Sequence, residues 1–255
     1  MKRIVILIGI IISVFAIQAV FGQETGGVIL YENKVNMYRM IPKERLEAMK
    51  AMVPEFRTSK SQLFYSDTES IYKPVIEDSE EDMSTQGDGS NRSGIVMRFQ
   101  QPNVEIYFNQ SESIGVTSQE FLGKQYLITD SLEVSPWKFG EGTKTIAGYE
   151  CKMAYYTDDS NPERVQEITA WYTDKLRPFL GPERYYTLPG AVLAIDINNG
   201  ERVTVAQSIE TRPLKKNELK VPTKGESITR YEFRKLVDER MKEMRQNGRQ
   251  MMIRN

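Results

Sequence analysis

Ala191-Val-Leu-Ala-Ile-Asp-Ile-Asn-Asn-Gly-Glu-Arg-Val-Thr-Val-Ala-Gln-Ser208 decides the fold class of this chain. Two runs rich in apolar and β-branched residues, Ala191–Ile197 and Glu201–Ser208, flank Asn199–Gly200. That dipeptide tolerates the positive φ angles of a type I′ turn, so the stretch predicts an antiparallel hairpin. The same residues offer side-chain oxygens of the kind that bind calcium, but without the ligand spacing of a calcium loop. The turn is therefore the reading adopted.

Strand signals continue upstream. Lys144–Tyr156 and Gln166–Thr173 read as a second hairpin over Asp158–Glu163. Ile95–Phe99, Val104–Phe108, Ser113–Val116, Lys124–Thr129 and Leu132–Val134 are short β-branched and aromatic runs. Gly26–Met40 reads as a long first strand, and Ser59–Tyr65 with Ser70–Val75 as a pair turning at Asp67–Thr68. Two helices interrupt the pattern. Pro42 opens the first, which runs to about Met52 with Leu46, Met49 and Met52 on one face. Thr229 and Glu232 form a capping box for the second, which carries Phe233, Leu236, Val237 and Met241 at helical spacing to about Gln246. Between Glu77 and Gly94 the chain is acidic and then rich in Gly, Ser and Asn, a solvated loop with little to bury. Together these predict an α+β domain with a mainly antiparallel, curved, half-open sheet, an early helix and a C-terminal helix. The periplasmic lipoprotein carriers offer the fold-level analogy.

The first residues predict export. Lys2 and Arg3 precede an apolar run from Ile4 to Ile17 broken by Ser13, and Val20 and Gly22 suit a signal-peptidase site. The run is shorter than the roughly 20 residues that span a bilayer. Residues 1–22 thus read as a signal peptide, Gln23 as the mature N-terminus, 23–225 as a β-rich domain, and 226–255 as an amphipathic helix with a basic, Met-containing tail. Losing Lys2 and Arg3 takes the formal net charge from −1 to −3, which offers no general field for nucleic acid. The chain has no histidine and one cysteine, Cys151. That excludes histidine-based triads, histidine-ligated zinc and an internal disulfide.

A resemblance emerges over Trp137–Gly200. Thr145-Ile-Ala-Gly-Tyr-Glu-Cys-Lys152, Ala170-Trp-Tyr-Thr173, Gly181-Pro182 and Leu188-Pro-Gly190 occur in that order, ahead of an apolar strand ending at Asp196. In this the chain resembles the GLPGLI family, exported proteins of Gram-negative bacteria. It departs from the six-residue signature: Thr187 stands at the first glycine, and Ala191 and Val192 at the final Leu-Ile. The resemblance implies a protein of the periplasm or outer membrane and carries over no activity.

The motif residues Trp171, Tyr172, Thr173, Gly181, Pro182, Leu188, Pro189 and Gly190 are the candidate site, as structural elements or as partner contacts. Pro189–Gly190 reads as a turn feeding the strand, with Gly190 at a positive φ. Trp137, Trp171 and Tyr172 read as core anchors, with a ligand-stacking platform as the functional alternative. Cys151 lies in an alternating strand and reads as a buried thiol. The acidic residues from Glu77 to Asp88 read as solvated rather than calcium-binding. Met241, Met244, Met251 and Met252 could offer thioethers to a soft metal, yet suit a helix face and a frayed end better. No cofactor or metal is expected. The reading is a non-enzymatic accessory or binding protein of the cell envelope, taking an apolar ligand, a peptide or an outer-membrane partner. Its rival is a periplasmic hydrolase built on Glu150 or Glu167 with Asp174.

Overall fold

Val28, Ile29 and Tyr31 are all buried, so the strand they occupy is covered on both faces and lies deep in a sheet. This strand is β1 (Gly27–Asn36). The computed structural model describes residues 26–76, 103–162 and 164–253. The residues read as a signal peptide with its cleavage site, the acidic stretch read as a loop over Glu77–Gly94 and the strand read over Ile95–Phe99 lie outside the described residues. β1 is shorter than the sequence suggests because Asn36 ends it. The Asn36 side chain accepts from Arg39 N–H at 3.2 Å and caps a helical turn, α1 (Met37–Met40). Pro42 leads into α2 (Lys43–Met49), which like α1 buries no residue.

The other elements follow in order: β2 (Phe56–Tyr65), β3 (Glu69–Pro74), β4 (Val104–Asn109), β5 (Ile114–Phe121), β6 (Lys124–Ser131), β7 (Lys138–Ile146), β8 (Tyr149–Asp158), β9 (Gln166–Thr173), β10 (Ala191–Ile197), β11 (Arg202–Thr211), β12 (Glu226–Ile228) and α3 (Arg230–Ile253). The twelve strands of the described residues join one non-closed sheet in the order β12-β6-β5-β4-β3-β2-β1-β11-β10-β9-β8-β7. Two antiparallel meanders, β1–β6 and β7–β11, meet where β1 pairs with β11, from Gly27 opposite Thr211 to Val35 opposite Arg202. The short β12 adds in parallel to β6, so the sheet is mixed. The sequence reading of an α+β, mainly antiparallel and unclosed sheet holds at this level.

Turn chemistry sets the register. Leu122 and Gly123 (φ 51° and 77°), and Ala147 and Gly148 (φ 48° and 84°), are left-handed pairs closing two-residue hairpins. The second of these splits what the sequence presents as one strand, Lys144–Tyr156, into β7 and β8. At the β10–β11 hairpin Ile197 faces Arg202, and Asn198, Asn199 and Gly200 are all left-handed. The loop is thus longer than a two-residue turn. Gly200 N–H donates to Asp196 Oδ1 at 2.6 Å and Glu201 N–H to Ile197 O at 3.1 Å. Leu132–Val134 is not a strand. Leu132 N–H donates to Ser113 O, after which the chain runs to Pro136 without a partner strand.

The core follows from what covers the sheet. Ile29, Tyr31, Leu63, Tyr65 and Tyr72 pack with Cys151, Leu180 and Leu193, joining the two meanders. Tyr31 is fully buried and its hydroxyl donates to Val192 O at 2.7 Å. Ile168, Ala170, Tyr172 and Ile195 lie under Tyr185 and Leu188 of the β9–β10 connection. Val28, Phe64, Ile71 and Tyr107 lie under Leu214 and Leu219 of the β11–β12 connection. At the far edge Phe233 of α3 meets Tyr126 and Phe121 edge-on, at 5.4 and 6.0 Å between ring centroids. Burying a side chain of that size stabilises by about 2 kcal/mol. The capping box forms as read: Glu232 N–H donates to Thr229 Oγ1 at 3.2 Å, and Thr229 N–H to Glu232 Oε2 at 3.0 Å. Connections, rather than helices, therefore cover most of the sheet.

Candidate functional site

The motif residues converge on the connection between β9 and β10, residues 174–190, which folds as a buckle across the sheet. Its two ends touch. Gly190 is buried, and a Cβ there would lie 2.7 Å from Thr173 C and 3.1 Å from Asp174 N. Gly190 does not adopt a positive φ. The glycine is needed, but for close backbone approach rather than for the turn conformation its Pro–Gly setting suggests. Gly181 is in the same position: a Cβ would lie 2.9 Å from Tyr185 C and 3.1 Å from Tyr186 Cα. Tyr185 N–H donates to Pro182 O at 3.0 Å, Phe179 N–H to Leu188 O at 3.3 Å, and Val192 N–H to Leu180 O at 2.8 Å. Leu188 is buried and Pro189 exposed.

Arg177 fastens the buckle to the other meander. Nε donates to Ser66 O at 2.6 Å, Nη2 to Glu69 O at 2.7 Å, and Nη1 to Gln110 Oε1 and Pro178 O, each at 3.1 Å. Burial lowers this guanidinium to about 10, although the nearby Tyr65 and Asp67 act to raise it. Phe108 of β4 stacks on Tyr186 at 4.5 Å and lies 6.4 Å from Phe179. Glu183 pairs with Arg202 at 3.2 Å and Arg184 with Asp158 at 2.6 Å.

Thr187, the departure from the glycine of the signature, has a definite role. Its Oγ1 accepts from Trp137 Nε1–H at 3.0 Å and from Ser135 N–H at 3.3 Å. It thereby fixes the strand-free segment before β7 and sets Trp137 edge-on to Tyr156 at 4.6 Å. Thr187→Val keeps the shape and removes the acceptor, leaving the indole N–H without a partner. The expected cost is about 1–2 kcal/mol in urea denaturation, with Thr187→Ser close to wild type.

Tyr172 is a core residue, and Thr173 is fully buried. Trp171 is half-buried, with Lys144 Nζ 5.7 Å from its ring centroid and the bare backbone of Gly142 beside it. It packs against the core cluster that contains Cys151, whose thiol burial pushes up to about 11. The carboxylates of the hydrolase reading do not share a pocket. Glu150, Glu167 and Asp174 are exposed, Asp174 pairs with Lys152 at 2.6 Å, and Glu167 lies at the opposite end of β9. Among the described residues no group of three or more acidic or cysteine side chains is placed to hold a metal. Met241 and Met244 are partly exposed on α3, and the side chains of Met251 and Met252 lie outside the described part.

A concavity that sequence reasoning missed lies between α3 and the β5–β6–β12 edge. Phe121, Leu122, Tyr126, Ile228, Leu236 and Met244 line it, and Lys124, Glu226, Arg240 and Glu243 rim it. The rim charges are mutually satisfied: Lys124 pairs with Glu226, and Arg240 with Glu243 at 2.8 Å. Leu122 and Met244 are 63% and 47% exposed, so the groove is open to solvent. The only sequence signal for it was the apolar stripe on α3. No described helix is long and apolar enough to cross a membrane.

No family model and no curated protein matches the chain. Among solved structures it is similar to PNGF-II in two crystal forms, with TM-scores of 0.53 and 0.52 and 14% identity in each. The match covers 83% and 84% of this chain but 32% of PNGF-II, so this chain spans about a third of that protein. At such identity the likeness concerns the fold alone.

Proposed function

We propose that this chain is an exported, non-enzymatic binding protein of the cell envelope, of the GLPGLI type, and that the groove beside α3 takes an apolar ligand or peptide segment. The observation that carries the reading is the composition of that groove: a lining more apolar than polar and open to solvent, with charges that neutralise one another. Such a lining favours an apolar guest and leaves no unpaired charge to desolvate. Most of the motif residues support the same division of labour, because Tyr172, Thr173, Gly181, Pro182, Leu188 and Gly190 are buried within the sheet and the buckle, with Pro189 exposed and Trp171 half-buried. A curved, half-open sheet like that of the periplasmic lipoprotein carriers is part of this proposal, with the groove at its edge as the ligand position.

A fluorescent naphthalene-type apolar probe tests it. The protein is expected to bind the probe saturably. Leu122→Glu with Met244→Glu, two partly exposed positions, should weaken binding at least about tenfold with an unchanged melting temperature. Absence of saturable binding, or binding indifferent to both substitutions, would contradict the reading.

A further inference from the structure

Residues 212–224 carry Arg212, Lys215, Lys216, Lys220 and Lys224 against a single acid, Glu218, in a chain whose formal net charge is −1. The fold sorts these charges. Arg212 donates through Nη1 and Nη2 to the two Glu218 oxygens at 2.7 and 2.8 Å, and Lys215 N–H adds a third bond at 2.6 Å. The bond from Arg212 is the main reason the Glu218 carboxyl lies at about 2. Arg212 and Glu218 cancel, so four exposed lysines remain, and none of them is in an ion pair among the described residues. The neighbouring acids are engaged elsewhere: Glu210 with Arg212 at 3.5 Å, and Glu226 with Lys124.

This strap is held rather than loose. Leu214 and Leu219 pack on the core, Lys73 Nζ donates to Glu218 O at 3.2 Å, and Ser118 Oγ to Lys224 O at 3.4 Å. The lysines are thus displayed on a fixed backbone. Between Lys220 and Lys224, Val221 is 40% exposed and presents an apolar tip.

We propose that the strap docks the protein on an anionic lipid surface, with Lys215, Lys216, Lys220 and Lys224 on headgroup phosphates and Val221 at the interface. Lysine ammoniums act as point charges that need no forked geometry, and several of them beside one apolar side chain suit a plane of phosphates better than a shaped peptide site. The inference adds a surface to the envelope reading and is independent of the groove.

Flotation of the purified chain with phosphatidylcholine vesicles, with and without 30% phosphatidylglycerol (about one lipid in three), tests it. The readout is the difference between the two vesicle types, which cancels any contribution of the apolar residues 4–17. Wild type should bind the anionic vesicles more tightly and lose that gain as salt rises. K215E/K216E/K220E/K224E should weaken binding at least about fiftyfold. The corresponding glutamine variant should fall between, and it decides the matter if the reversed chain does not fold. K235E/K242E on α3 should change nothing. Equal binding to both vesicle types, or an unaffected strap variant, overturns the inference. Binding to soluble polyglutamate but not to vesicles overturns it in favour of an acidic polypeptide. A protein that takes the apolar probe yet ignores anionic vesicles loses this inference alone, and the reverse result loses the groove reading alone.

Discussion

Replacing Gly190 by valine is expected to lower the denaturation midpoint sharply. A Cβ at this position falls 2.7 Å from Thr173 C and 3.1 Å from Asp174 N, and both are backbone atoms fixed by the end of β9. Neither can rotate away as a flexible side chain could. Relief requires β9 and β10 to separate beside the fully buried Thr173, Ala191 and Val192. Overpacking commonly costs about 1–3 kcal/mol where side chains can adjust, and here the strain falls on the sheet itself. A loss of about 3 kcal/mol or more is expected, a large part of the stability of a domain of ordinary size. Gly190→Ala already adds the offending carbon, so it should lose most of the same amount. A Gly190→Ala variant with a wild-type denaturation midpoint would show that the buckle ends are not held together as described.

Arg177→Met should be the next most damaging change. The methionine fills much of the arginine's volume but supplies no donor, so Ser66 O and Gln110 Oε1 lose the guanidinium in a part-buried setting and Glu69 O keeps only Ser66 N–H at 2.9 Å. Bonds from a charged donor contribute more than neutral ones, and orphaned buried acceptors add their own cost. A loss of about 3 kcal/mol is expected. Arg177→Lys should recover only part of it, because one ammonium on a flexible stem cannot reproduce the planar fork that reaches two turns. Equal stability of the methionine variant and the wild type, measured by chemical denaturation, would mean that Arg177 does not help to join the two meanders.

Local structure was largely legible in the sequence, and long-range structure was not. The Asn199–Gly200 hairpin, the β2–β3 pair and the Thr229–Glu232 cap carry residues whose preferences match their local conformation. Ala147–Gly148 was missed because alanine rarely accepts a positive φ, so the β7–β8 turn is hidden within an alternating run. Gly190 was singled out correctly for a mistaken reason. A Pro–Gly pair signals a turn, and nothing in it announces that Thr173 will press against the glycine. The pairing of β1 with β11 joins Gly27 to Thr211, a separation no periodicity encodes. The groove was invisible for the same cause: its walls come from Phe121–Tyr126 and from Glu226–Met244, brought together only by the closing of α3 over the sheet edge.

The motif connection is part of the core and not a mobile binding loop, and amide hydrogen exchange tests this most directly. The amides of Phe179, Tyr185 and Val192 bond within the buckle, while Tyr31 and Ala206 lie in the paired centre of the sheet. If the buckle is structural, it opens only with the whole domain. Its three amides should then show opening free energies within about 1 kcal/mol of those for Tyr31 and Ala206. Exchange of Phe179, Tyr185 and Val192 at the rate of an unprotected loop, with the β1–β11 amides still protected, would contradict the account.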